Sequence, residues 1–154
     1  RAAVEACKAT DPALGLRLAG ALGQFWEVHG HWSEGREICA EVLERGGTQT
    51  GSAARARTLN GAANLAFHQT DYPQARVLHE EALQIRRGLG DELGEAMSLN
   101  NLGEVERLQG HPDEACEFYE EAAAIQRRID YRWGLAVSLN NLGEVAQGRG
   151  DYEK

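Results

Sequence analysis

Five histidines, three cysteines and the carboxylate pairs Glu80-Glu81 and Glu120-Glu121 are the groups from which this chain could build a metal or acid–base site. The nearest approach to a metalloprotease helix is His79-Glu80-Glu81. It lacks the second histidine that His-Glu-x-x-His spacing needs to set two ligands on one helix face. There is no Gly-x-x-x-x-Gly-Lys phosphate loop and no Gly-x-Ser-x-Gly nucleophile elbow. Cys7, Cys39 and Cys116 are odd in number and include no C-x-x-C pair. That pattern disfavours a disulfide framework or thiolate metal site, suits a reducing compartment, and reads as small buried fillers. His31 and His111 stand at equivalent turn positions and are expected to cap a helix or face solvent. The two carboxylate pairs recur at a fixed interval, as a solvated helix face does. No enzyme activity, cofactor or metal is expected.

What remains is amide chemistry, and it sits in a stretch that occurs twice. Ser98-Leu99-Asn100-Asn101-Leu102-Gly103-Glu104-Val105 returns 40 positions later as Ser138-Leu139-Asn140-Asn141-Leu142-Gly143-Glu144-Val145, and residues 91–110 and 131–150 share eleven identities. Self-similarity at this period marks a solenoid, in which one unit cannot bury its own apolar face and must stack on the next.

The elements that position these amides follow from the same period. Gly30, Thr70, Gly110 and Gly150 are landmarks, each followed by a short turn: His31-Trp32-Ser33, Asp71-Tyr72-Pro73, His111-Pro112-Asp113 and Asp151-Tyr152-Glu153. Glycine or a polar residue ends one helix and a first-turn proline lets the next begin. Helices are predicted over about 12–29, 33–45, 53–69, 73–88, 92–109, 113–129 and 132–149, with Asp11 as a cap. Apolar stripes are expected at Leu14, Leu18, Leu22 and Phe25, then at Ile38, Val42 and Leu43. The next two second helices repeat them as Ala75, Leu78, Ala82, Ile85 and Leu89, and as Ala115, Phe118, Ala122, Ile125 and Ile129. Gly46 to Ser52 reads as the most flexible linker. Arg86-Arg87 and Arg127-Arg128 fall in last turns, where the helix dipole favours cations. Small residues recur in step: Gly23, Ala63, Gly103 and Gly143; Gly35, Ala75 and Ala115; Val42, Ala82 and Ala122. A glycine costs about 0.5–1 kcal/mol inside a helix, so its retention implies close backbone approach.

Composition sets outer bounds. The chain has 154 residues, 42% hydrophobic, with three prolines, which describes an ordered core-forming domain. A net charge of -8 and a pI near 5.1 repel nucleic acid as a whole, and there is no basic stripe. No run is apolar enough to span a membrane, and the N-terminus lacks signal-peptide patterning; a cytoplasmic location is expected. Arg1 lies in what reads as the tail of a helix, Ala2 to Ala9, and Lys154 falls where another should begin. The sequence is therefore expected to be an excerpt of a longer protein, forming a single domain over 1–154 with units of about 11–50, 51–90, 91–130 and an incomplete 131–154.

These positions resemble the tetratricopeptide repeat, in which Leu-Gly in the first helix is followed by Ala, an aromatic and Ala in the second. Leu102-Gly103, Ala115, Tyr119 and Ala122 fit in order, Leu142-Gly143 restarts the pattern, and Ala62-Ala63, Ala75 and Ala82 form a weaker copy. The family's next aromatic position holds Ala66, Glu106 and Ala146 here, its terminal proline is Arg87 and Arg127, and the period exceeds the family's usual one. The resemblance implies an all-α, right-handed superhelical solenoid of antiparallel helix pairs. A narrower likeness, carried by Leu-Asn-Asn-Leu-Gly, Arg87-Gly88-Leu89-Gly90-Asp91, Leu14-Gly15-Leu16-Arg17-Leu18-Ala19 and the run Phe25 to Arg36, is to the sensor region of bacterial signal-transduction ATPases and LuxR-type or SARP-type transcriptional regulators. Kinesin light chains share the Leu-Asn-Asn-Leu element.

In such arrays the first helices line a concave surface, and residues three and four apart share a face. The resemblance then implies a peptide-binding wall of Met97, Asn101, Glu104 and Leu108, with Val137, Asn141 and Glu144 beside them. Arg57, Asn60 and Asn64, then Arg17 and Gln24, precede them. Amides carry donors and an acceptor and can bond the backbone of an extended peptide. By resemblance Asn101 and Asn141 are ligand-contacting; the alternative is that each ties neighbouring helices through a main-chain group. Asn100 and Asn140 are read as structural. A carboxylate clamp would need lysines where Met97 and Val137 stand, so a C-terminal carboxylate ligand is not expected. The expected function is a non-catalytic protein or peptide scaffold, the sensor part of a regulator. The expected partner is a protein or peptide segment, another domain of the parent chain included, with no direct nucleic acid or membrane contact. Self-association and small-molecule effector binding are the alternatives.

Overall fold

The computed structural model describes residues 11–46 and 51–149. The helix expected over 2–9, the middle of the 46–52 linker and the turn 151–153 lie outside the described residues. Among these residues the chain is seven helices and no strand: α1 Pro12–His29, α2 Trp32–Arg45, α3 Ala53–His68, α4 Tyr72–Leu89, α5 Glu92–Gln109, α6 Pro112–Arg128 and α7 Arg132–Arg149. The helix boundaries follow from local chemistry. Asp11 Oδ1 accepts from the Ala13 and Leu14 amides at 3.0 and 3.1 Å, with Pro12 opening α1. Ser52 caps α3 and Asp91 caps α5 in the same way, at 3.2 and 3.0 Å. Gly30 and Gly110 end their helices at φ 73 and 84, whereas Thr70 at the matching position takes φ 60 without a glycine's freedom.

The helices form two compact units, one through Leu89 and one from Gly90. In the first, α3 packs against α1, α2 and α4. Its core joins Leu16, Ala19 and Trp26 to Ile38, Cys39, Val42, Ala62 and Leu65. Cys39 is fully buried, and burial pushes its thiol up to about 12, which suits a packed filler and not a nucleophile. The buried face of α1 differs from the expected stripe. Leu14 and Phe25 are 36% and 47% exposed, while Gly15, Leu16, Ala19, Gly23 and Trp26 face inward. Contact distance explains the rotation: a Cβ on Gly23 would lie 3.3 Å from the Gly61 Cα, and one on Gly20 3.1 Å from the Arg57 Cβ, so the small-residue face must meet α3.

On α4 the inward residues are Ala75, His79, Ala82, Leu83 and Arg86, and Leu89 is 49% exposed at the end of the expected stripe. His79 is 1% exposed; burial first, and the positive Arg86 second, lower its pKa to about 3, so it packs as a neutral ring. Glu80 and Glu81 are half-buried and not a free solvated face. Glu80 pairs with Arg76 at 3.0 Å, and Arg55 bridges Glu81 at 2.8 Å and the Leu43 carbonyl at 2.9 Å.

In the second unit α6 packs against α5 and α7. Ala96, Leu99, Leu102 and Val105 of α5, Ala115, Tyr119 and Ala122 of α6, and Val145 of α7 are buried. Gly103 is the point of closest approach, since a Cβ there would stand 2.5–2.9 Å from the Tyr119 ring. Neither turn histidine caps through its side chain: His31 stacks on Phe25, and His111 Nδ1 lies 2.8 Å from the buried Glu106 carboxylate.

Candidate peptide-binding surface

Burying Ala96, Leu99, Leu102 and Val105 leaves the next positions round α5 facing outward, because a helix turns through a fixed angle per residue. Met97 and Leu108 are 47% and 41% exposed, and Asn101 and Glu104 are half-buried. Glu104 is held in place: Arg107 donates to both its oxygens at 2.6 and 2.9 Å, and the Tyr119 hydroxyl donates at 3.1 Å. That hydrogen bond to Glu104 is the main reason the Arg107 guanidinium is stabilised further in its charged form. Burial, then the Glu104 charge, pushes the Tyr119 phenol above its usual range.

α7 repeats the outward row with Trp133, Val137, Asn141 and Glu144. Trp133 is 71% exposed, Val137 and Asn141 are half-buried, and Glu144 is exposed and accepts from Asn140 at 3.0 Å. Asn100 lies within a network spanning α5, α6 and α7. Its amide donates to the Ala96 carbonyl at 3.3 Å, while the Ser138 hydroxyl stands 2.9 Å from its oxygen and 2.7 Å from Gln126 Oε1. That network ties α5, α6 and α7 together beneath the two rows.

Between the rows lies a cavity of about 210 Å³. Met97, Asn100 and Asn101 line it from α5, Gln126 and Tyr131 from the end of α6 and the turn, and Trp133, Gly134 and Val137 from α7. Three expected residues, Met97, Asn101 and Val137, are thus brought together. Glu104 and Leu108, and Asn141 and Glu144, continue along their helices beyond it. Tyr131 and Trp133 escaped the sequence reasoning. Aligning them with Asp91 and Leu93, one period earlier, would have flagged them, because an aromatic pair replaces a cap and an aliphatic residue.

The first unit carries Arg17 and Gln24 exposed on α1, and Arg57, Asn60 and Asn64 on α3. Asn64 donates to Glu27 at 3.1 Å and His68 Nε2 lies 3.1 Å from the same carboxylate, so this amide spans two helices. Two other cavities of the unit, about 250 and 330 Å³, are lined by Arg36, Ala40 and Gln74 and by Gln84, Ile85 and Leu89 among others, and take none of the expected residues. Among the described residues no cluster of His, Cys, Asp and Glu could hold a metal ion, and no helix is long and apolar enough to cross a membrane.

Comparison with known proteins bears on the fold and the repeat family. The Tetratricopeptide repeat family model matches residues 54–128 and 94–154. No curated protein matches the sequence. Among solved structures, BtubC (BKLC) from P. vanneervenii superposes with a TM-score of 0.82 at 23% identity, over 93% of this chain and 59% of that one. The chain therefore spans about three-fifths of that protein's length. A Podosopora anserina protein of nearly identical TPR-like repeats, named as a kinesin light chain, gives 0.78 at 19% identity over 92% of this chain and 69% of its own. At these identities the likeness is one of fold, an all-α solenoid of tetratricopeptide type. Repeats of this kind indicate a protein-interaction scaffold and are generally non-catalytic. With paired helices in register, glycine and alanine at the contacts, and a family match over most of its length, the chain belongs to the tetratricopeptide repeat family.

Proposed function

We propose that the chain is a non-catalytic scaffold that holds an extended peptide or protein segment along the outward rows of α5 and α7. Met97 and Val137 supply apolar contact; Asn101 and Asn141 bond ligand main chain. The observation that carries this reading is that Met97, Asn101 and Val137, from two helices, line one open cavity. An amide matches a peptide group without reading its side chain, so this wall suits a partner chosen by backbone and apolar content. Glu104, Leu108 and Glu144 extend the surface. On α1 and α3, Arg17, Gln24, Arg57, Asn60 and Asn64 offer a second wall of mixed amide and cationic character.

The test is the double substitution Asn101→Ala with Asn141→Ala, measured by fluorescence anisotropy with labelled degenerate decapeptide pools. Binding should weaken by about 1–3 kcal/mol, from lost polar partners, with helicity by circular dichroism intact. Loss of helicity would make the asparagines structural. The Leu-Asn-Asn-Leu-Gly element and the Arg87 to Asp91 linker support placing this module in the sensor part of a cytoplasmic bacterial signal-transduction ATPase or LuxR- or SARP-type transcription regulator. A parent reading frame without a phosphate-binding loop or helix-turn-helix would contradict that placement. Self-association is a second reading, favoured by Leu139 standing 49% exposed on α7. Light scattering that finds monomers at all concentrations would remove it.

A further inference from the structure

The run-in to α7 departs from the repeat in one place, and there it builds a surface that stacking does not require. α5 opens Asp91-Glu92-Leu93-Gly94 and α7 opens Tyr131-Arg132-Trp133-Gly134, although the eight-residue signature that follows is identical. Asp91 caps its helix. Tyr131 instead lies against Gly134, where any Cβ would collide with its ring and with Gln126 Nε2, and its centroid is 6.2 Å from that of Trp133. Trp133 and Met97, both lining the cavity, are 71% and 47% exposed, and Leu93, one turn before Met97 on α5, is 44% exposed. An exposed apolar cluster of this kind marks a partner site.

Charge narrows the partner. Residues 1–89 hold ten acidic and ten basic residues, while 90–154 hold fourteen acidic and six basic, so the whole net charge of -8 falls in the second unit's sequence. The cavity lining itself contains only neutral side chains, its polar groups being the amides of Asn100, Asn101 and Gln126 and the Tyr131 phenol. Three cations of this unit are already held, Arg107 by Glu104, Arg128 by Glu92 and Arg132 by Asp130. A net negative unit raises the concentration of cations near it, and an indole face attracts them while accepting an aliphatic stem. A carboxylate side chain would meet the opposite of both.

Resting on the peptide-binding reading above, we infer that this cavity takes a Lys or Arg side chain of a basic peptide segment, its charge over the Trp133 ring and its stem against Met97. Trp133 and Glu144 are eleven residues apart on α7, a rise of about 16 Å. An extended peptide covers that in about five residues, so a second basic residue at that spacing reaches the Glu144 carboxylate.

The test uses the 154-residue chain and four pools of labelled degenerate peptides with Arg, norleucine, Phe or Glu fixed at the centre, read by anisotropy at low and high salt. The Arg pool should bind about tenfold tighter than the Glu pool and several-fold tighter than norleucine, with the advantage shrinking at high salt. Trp133→Leu, at an exposed site, should cost the Arg pool about five- to tenfold and cost the norleucine pool clearly less. Norleucine or Phe binding as well as Arg, or Arg binding unmoved by Trp133→Leu, overturns the inference. If such pools bind and are weakened by Asn101→Ala with Asn141→Ala, the peptide reading stands without the cation. If no pool binds at all, both fall.

Discussion

α5 and α7 carry the same eight residues and live in different surroundings. In α5, Leu99 and Leu102 are fully buried and Gly103 lies under the Tyr119 ring. In α7, Leu139 is 49% exposed, Leu142 is half-buried, and the space where a Gly143 Cβ would sit is open among the described residues. Glu104 is clasped by Arg107 and Tyr119, while Glu144 is exposed. Local helix preference is the same in both copies, so the difference shows what the signature is for. In α5 the apolar and glycine letters answer to the helix packed on them, while Asn101 and Glu104 are only half-buried.

The largest expected effect removes the residue that makes the two copies differ. Tyr119→Ala should cost about 3–5 kcal/mol in chemical denaturation, as truncating a buried aromatic does. In that background Gly103→Ala should become nearly neutral, giving a coupling energy in a double-mutant cycle. No coupling would mean the glycine is not there for the ring.

The same repeat position holds Cys39, His79 and Tyr119, and all three are buried. At His79 the neutral ring makes stability depend on pH. The folded-state pKa, about 3, is below the ordinary value of 6.5. The unfolded chain therefore binds the proton first, and stability present above about pH 6.5 is lost as pH falls toward 3, at up to about 1.4 kcal/mol per pH unit. His79→Leu should flatten the slope of unfolding free energy across that window relative to the parent chain; an unchanged slope would place the histidine in solvent.

Much of this was legible in the sequence because the forty-residue period fixes register. Helix ends at Asp11, Gly30, Asp91 and Gly110 carry their own caps and left-handed residues, and the structure places them within a residue or so of expectation. Less visible was which face of α1 turns inward. Leu14 and Phe25 look like core by hydrophobicity, yet Gly20 and Gly23 demand the contact side, since only there can two backbones meet. His79 and Arg86 read as polar and are buried, because a neighbouring helix and not their own polarity decides their exposure. The rows through Met97 and Val137 came from the tetratricopeptide resemblance together with helical spacing. Tyr131 and Trp133 were not, since they fall outside the repeated letters that guided the reading.

The most direct test compares Gly103→Ala with Gly143→Ala in the same chain by urea unfolding. The account predicts opposite signs: a loss of about 1–3 kcal/mol at Gly103, from overpacking against Tyr119, and a gain of about 0.5–1 kcal/mol at Gly143, from better helix propensity. Equal losses at both sites would contradict it, because the identical letters would then be serving identical contacts.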